Sequence, residues 1–333
     1  MNAKQRVLGR IRGEATDRMP NLCILMFLAA KEIGVTYGEY VRDYRHLVAG
    51  NLKAIPKYGI DAVSTISDPM REGSDLGMEL EYPPDGVPRP KHGYLVNDAA
   101  DLAKLQPITS GPRMEDRVRG VAALKAEVGD DYPIIGWVEG AFAQAADIRG
   151  INDFLVDTLI EPEFVTDLLE FTLAVEIAFA KAQIEAGADI IGVGDAITSV
   201  AGPDAYAQFA LPYERKLLRA IKDFGAATKL HICGNTAPFM DQLPVDLVDI
   251  LDVDWMVPLD QMSARYGEQT VVSGNYDPVQ VLLQGSPADV RAAVTACAAQ
   301  AGPHGASAGG CEVPVDTPEE NLLAVTETLA ALA

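Results

Sequence analysis

The chain has 333 residues, 48% of them hydrophobic, enough to bury a sizeable core. Against 48 Asp and Glu stand only 27 Lys and Arg, and the resulting formal net charge of −21 disfavours nucleic acid and anionic membrane surfaces as partners. No run approaches the ~20 apolar residues of a membrane span, and the opening MNAKQRVLGRIRGE lacks the apolar segment of a secretion signal, so a cytoplasmic protein with a small-molecule or protein partner is expected.

Short apolar runs alternate with longer amphipathic ones, the pattern of parallel strands joined by crossover helices. In chain order, strands are expected at 21–27, 61–66, 134–139, 189–194, 229–233, 250–254, 270–274 and, glycine-rich, at 306–310. Eight strands suggest an α/β protein closed as a (β/α)8 barrel. Residues 67–112 are rich in Pro, Gly and charge and too long for an ordinary loop, so they are expected to form an excursion over the barrel mouth. A helix is expected over 163–186, with Pro162 near its start and Gly187 past its end. Another is expected over 206–224, with apolar residues at Phe209, Leu211, Leu217, Leu218 and Ile221, and Ser286-Pro287-Ala288-Asp289 opens a third. No repeat or linker divides the chain, which is read as a single domain, 1–333.

Four cysteines in a chain this long make no disulfide framework, so they are free thiols or metal ligands. In Lys229-Leu230-His231-Ile232-Cys233-Gly234-Asn235-Thr236, side chains at i and i+2 of a strand share a face, so His231 and Cys233 can both project inward at the strand's C-terminal end. Active sites of such barrels gather at that end, and Gly234 allows a tight turn there. Cys311, in Gly309-Gly310-Cys311-Glu312-Val313-Pro314, ends the last expected strand and should reach the same mouth. One imidazole and two thiolates select a borderline-soft ion, zinc above others, and leave a fourth position open to substrate. The competing reading makes Cys233 and Cys311 buried small hydrophobes and His231 a packed core residue; their joint position at two strand ends favours metal. Cys23 and Cys297 are read as structural.

The sequence resembles the uroporphyrinogen decarboxylase superfamily and, within it, the methylcobamide:thiol methyltransferases. The likeness runs along nearly the whole chain and is carried by Ile134-Ile-Gly-Trp-Val-Glu139-Gly-Ala-Phe, Gly187-Ala-Asp-Ile-Ile-Gly-Val-Gly194-Asp195-Ala, Leu230-His231-Ile-Cys233-Gly-Asn235-Thr, Ser273-Gly-Asn275-Tyr-Asp277-Pro278 and Gly310-Cys311-Glu-Val-Pro314. The resemblance implies a (β/α)8 barrel with zinc on His231, Cys233 and Cys311. The decarboxylase's own N-terminal arginine motif is missing, since residues 22–30 contain no arginine to meet a polyanionic substrate, although Ser67-Asp68 is similar to that enzyme's catalytic aspartate region. Without that role, Asp68 is a turn residue before Pro69.

The expected chemistry is methyl transfer between a methylated corrinoid and a zinc-activated thiol such as coenzyme M. The chain lacks the Asp-x-His-x-x-Gly signature of a cobalamin-binding domain, so the methylcobamide is expected on a separate corrinoid protein. Glu139, Asp195, Asn235 and Asn275 fall at or beyond other strand ends. Two readings stay open for each: orienting ligands or binding the acceptor's tail, or merely lining a wet barrel mouth. Glu139 is also a candidate fourth zinc ligand when substrate is absent. Rival functions are demethylation of a methylated substrate, methyl transfer from a folate, a decarboxylase-like lyase, and a purely structural zinc.

Overall fold

The computed structural model describes residues 1–333. Its strands are β1 (Val63–Ser64), β2 (Leu80–Glu81), β3 (Arg89–Pro90), β4 (Ile134–Glu139), β5 (Ile190–Gly194), β6 (Ala227–His231), β7 (Ile250–Asp252) and β8 (Val271–Ser273). All but β2 and β3 form one parallel sheet in the order β1-β4-β5-β6-β7-β8. Two further staves close it into a barrel, each reduced to single bridges: Asn21 pairs with Ser307, and Ala306 with Ser273. Asp61 N–H donates to Asn21 O and Ala306 N–H to Val272 O, joining these staves to both edges of the sheet.

Several expected strands are shorter than their runs, 61–66 being reduced to Val63–Ser64 and 306–310 to bridges, and for two others the reason is identifiable. The run at 21–27 leaves the ladder early because the Phe27 N–H is taken by Glu312 Oε1 at 2.9 Å and a helix, Phe27–Ile33, begins there. The run expected at 229–233 is displaced two residues towards the N-terminus, so that β6 ends at His231, whose carbonyl accepts from Asp195 N–H, and Cys233 lies just past the strand.

Alternation decides what faces inward. Ile135 and Trp137, Ile190, Ile250, Val271, Ala306 and Ala308 fill the barrel, and Val7 of the helix Ala3–Ile11 plugs its N-terminal end. The opposite faces of the strands pack against the surrounding helices in a core of 69 buried residues. The long helix is Pro162–Glu185, and Ser286 and Asp289 form a reciprocal cap on Pro287–Ala301. The element expected over 206–224 opens with one wide turn, Tyr206–Ala210, before the α-helix Leu211–Asp223. Pro212, which offers no N–H to the ladder, sits at that junction.

The excursion at 67–112 holds a short helix, Arg71–Asp75, the antiparallel pair β2–β3 and the turn Ala99–Leu102. Only its first residues, Ser67 to Arg71, wall the barrel mouth. No helix is long and apolar enough to cross a membrane.

Candidate metal centre

Alternation along β6 turns Lys229 and His231 into the barrel, and the chain stays extended to bring Cys233 beside the ring. Gly234, at φ 89°, then reverses the chain in a conformation that strains other residues, with Ser199 Oγ 2.8 Å from where a Cβ would stand. Cys311 arrives from the last stave. Gly310 permits this approach, because a Cβ there would overlap the main-chain nitrogen of Trp255.

His231 Nε2 lies 3.1 Å from Cys233 Sγ, the two sulfurs are 3.7 Å apart, and all three donor atoms lie within 4.8 Å of one another. Two thiolates on one tetrahedral zinc at ~2.3 Å stand about 3.8 Å apart. The spacing suits a shared ion and is too wide for a disulfide, which needs S–S of about 2.05 Å.

Electrostatics agree with that fit. Burial opposes charge on His231, but Asp252 and Cys311 outweigh it and push the imidazole up to about 10. Hydrogen bonding from Cys233 pulls the Cys311 thiol down to about 4 against its burial, and the same contact pushes Cys233 upward. Protons on Cys233 and His231 thus favour a thiolate at Cys311. A divalent cation would take the place of those protons.

Beneath the triad, β7 sets Asp252 directly beside His231 in the sheet register. Asp252 Oδ2 is 3.1 Å from His231 Nδ1 and 2.9 Å from Lys229 Nζ, although neither contact has the alignment of a good hydrogen bond. A carboxylate facing the outer nitrogen of a ligand histidine fixes its tautomer and ring orientation.

The triad opens into a cavity of about 190 Å³. Its apolar walls include Ile24, Met26, Ile66 and Trp137, and its polar ones Asp68, Arg71, Glu139 and Glu312. Glu139 is held by Arg71 Nη2 at 2.9 Å, and it stands outside the group of three close donors. Burial pushes its carboxyl up to about 7, and does the same to Glu312. Asp68 makes its turn, accepting from Met70 N–H at 3.2 Å, but it is more than a turn residue: it is buried against Arg113 Nη2 at 2.7 Å.

The other three residues singled out by position do not line this cavity. Asp195 is no wet-mouth residue; it is wholly buried, accepts from Ala143 N–H at 2.9 Å, and packs against Glu214. Asn235 is exposed and accepts from Ala237 N–H at 3.1 Å. Asn275 is buried and donates to Asp254 O at 2.9 Å and Val257 O at 2.7 Å. Cys23 lies 3.1 Å from Tyr276 Oη in the core, and Cys297 packs on the core from its helix.

Sequence reasoning missed Lys229, Asp252, Arg71 and Glu312. The parity that selected His231 and Cys233 also selects Lys229, and Asp252 is a charged residue inside an apolar strand run, so both carried a usable signal. Arg71 carried none, because the excursion has no periodicity to orient its side chains.

The sequence model of the uroporphyrinogen decarboxylase (URO-D) family matches residues 2–332. The methylcobamide:CoM methyltransferase MtbA of Methanosarcina mazei is 29% identical over 334 residues, spanning 97% of this chain and 96% of that protein. A uroporphyrinogen decarboxylase of Streptomyces coelicolor is 29% identical over 243 residues, 71% of this chain and 67% of that protein. Among solved structures, a methyltransferase from Methanosarcina mazei superposes with a TM-score of 0.86 at 22% identity, covering 100% of this chain and 99% of that one, which establishes the shared fold.

Proposed function

The chain belongs to the uroporphyrinogen decarboxylase (URO-D) family, and we propose that within it this protein is a zinc-dependent methyltransferase, moving a methyl group between a methylated corrinoid on a separate protein and a small thiol such as coenzyme M. The observation that carries the reading is the convergence of His231 Nε2, Cys233 Sγ and Cys311 Sγ at the floor of a small cavity. Likeness to MtbA proteins over almost the whole of both chains supports it.

His231, Cys233 and Cys311 hold the zinc, which when bound acidifies a coordinated thiol and keeps its sulfur nucleophilic. Asp252 and Lys229 orient His231. Ile24, Met26, Ile66 and Trp137 exclude water from the acceptor. Glu139 and Glu312 both line the cavity, and burial brings the carboxyl of each up to about 7, so these are the two groups available to take the acceptor's thiol proton. The acceptor's sulfur then bonds to the methyl carbon as the Co–C bond breaks, and cobalt(I) leaves with the electron pair. Asp195, Asn235 and Asn275 act one step removed, holding the backbone that shapes the mouth.

The residues at the start of the barrel argue against decarboxylase chemistry. The cavity of about 190 Å³ beside the triad suits a small acceptor, and residues 22–30 hold no arginine to meet a polyanionic tetrapyrrole. A corrinoid carried on a separate protein presents its methyl group over the mouth in this reading.

The test combines metal analysis with methylcobalamin demethylation, followed through cobalt's spectral change with a panel of thiols, in wild type, Cys233→Ala and Cys311→Ala. The expected result is about one zinc per chain and thiol-dependent turnover lost in both variants. Zinc-free, inactive wild type would overturn the reading. Zinc without turnover, even with a methylated corrinoid protein, would exclude this donor and leave a folate donor or a demethylase.

A further inference from the structure

A second concavity lies at the other end of the barrel from the metal centre. It is a groove of about 760 Å³ between the loop that follows the helix Ala3–Ile11 and the C-terminal end of the helix Pro287–Ala301. A smaller space of about 320 Å³ continues it past Asp249 and Thr270. Those two residues stand just before β7 and β8, and His304 just before the last stave, so the groove opens on the N-terminal ends of the staves. Arg10, Gly13 and His304 line both spaces, which therefore adjoin.

Five arginines are buried: Arg6, Arg10, Arg71, Arg113 and Arg117. Four of them face a carboxylate, Arg6 that of Asp17 and of Asp61, Arg71 that of Glu139, Arg113 that of Asp68 and Arg117 that of Asp116. Arg10, 8% exposed, faces none, and burial pulls its pKa below the ordinary value with no acid to offset it. Unsatisfied nitrogens do not set it apart, since Arg71, Arg113 and Arg117 carry them too. The missing counter-charge does, because a buried cation without a partner is costly. Its Nη2 donates to Thr16 Oγ1 and, at 3.4 Å, to Arg18 O, while Nε and Nη1 make no hydrogen bond within the chain.

Acids on the walls are engaged elsewhere: Glu14 by Arg12, Asp17 by Arg6 and Asp249 by Lys222. The exposed Glu268 and the carboxylate of Ala333 form no ion pair. Together these groups tolerate one incoming negative charge beside Arg10 better than two. Met19, Ala298, Ala299, Pro303 and Leu332 give the groove an apolar wall.

We propose that this groove is a binding site for a small amphipathic monoanion, a carboxylate with an apolar body. The oxyanion meets Arg10 and supplies its missing counter-charge, and the body lies against Met19, Ala298, Ala299 and Leu332. The volume falls within the ~300–1,000 Å³ of small-molecule sites. The site stands apart from the metal centre and does not depend on the methyl-transfer reading.

The zinc-loaded protein is titrated calorimetrically with hexanoate, phenylacetate, their uncharged isosteres hexanamide and phenylacetamide, and the dianion hexyl phosphate. At least one carboxylate should bind at least about tenfold more tightly than its amide, the share of a charge-assisted hydrogen bond. Whichever carboxylate ranks first tells whether the body is aliphatic or aromatic. Hexyl phosphate should bind more weakly than hexanoate. In Arg10→Met, which keeps the stem and drops the charge, acid and amide should bind within about threefold of each other. This variant should unfold at a urea concentration no lower than wild type, since the lost charge had no partner and Thr16 Oγ1 keeps its bond to Arg18 O at 2.9 Å. Ala299→Trp, at an exposed helix position, should abolish binding by filling the groove. Binding of neither carboxylate, equal binding of acid and amide by wild type, tighter binding of the dianion, or binding unchanged in Arg10→Met or Ala299→Trp would overturn the assignment. Should Arg10→Met fail to fold, the amide comparison and Ala299→Trp decide alone.

Discussion

Replacing Asp252 by alanine removes the one carboxylate that faces both the His231 ring and the Lys229 amine. Lys229 is almost wholly buried, with 2% of its side chain exposed, and Asp252 is its ion-pair partner. An uncompensated charge at that depth costs about 3–5 kcal/mol, whereas exchanging both partners for apolar residues of similar volume is often neutral or stabilising. The Asp252→Ala variant should therefore lose about 3–5 kcal/mol in urea unfolding with a chelator present, and the double variant Lys229→Met, Asp252→Leu should recover most of it. Metal binding should behave differently. Loss of the outer partner of a ligand histidine weakens a site by about 10–100-fold, which is roughly 1.4–2.7 kcal/mol. Competition against a chromophoric chelator should show this loss in the single and the double variant alike, since neither restores a carboxylate opposite Nδ1. Two results would refute the reasoning: a double variant as unstable as Asp252→Ala, or wild-type metal affinity in Asp252→Asn.

Cys233→Ser and Cys311→Ser should each reduce bound zinc to substoichiometric levels by elemental analysis, while Cys297→Ser, far from the triad, should leave metal content and folding unchanged. Gly310→Ala should distort the segment carrying Cys311, because the new methyl meets the Trp255 main chain and cannot rotate away; reduced metal occupancy with the fold retained by circular dichroism would show it. Burial raises the Glu214 carboxyl to about 7, beside Asp195, which is raised as well. A carboxyl raised on folding binds more protons in the native state, so stability is full below about pH 4.5 and falls as pH climbs towards 7. Urea midpoints across pH 5 to 8 should therefore decline in wild type and decline less in Glu214→Gln. An unchanged slope would show that this pair does not govern it.

Much of the architecture was written locally. Alternation of apolar side chains located the staves, proline, glycine and the Ser286–Asp289 cap located helix ends, and i, i+2 spacing put His231 and Cys233 on one face of a strand end. These features depend on near neighbours along the chain, so one sequence suffices to read them. Contacts across the barrel depend on register between strands, and no local pattern encodes register. Hence Asp252 beside His231, Cys311 at 3.7 Å from Cys233, and Asp195 turned into the core towards Ala143 appear only once the sheet is closed. Arg71 is the extreme case. It lies in a segment with neither helical nor strand periodicity, and only the packing of that segment over the mouth brings its charge to the cavity wall.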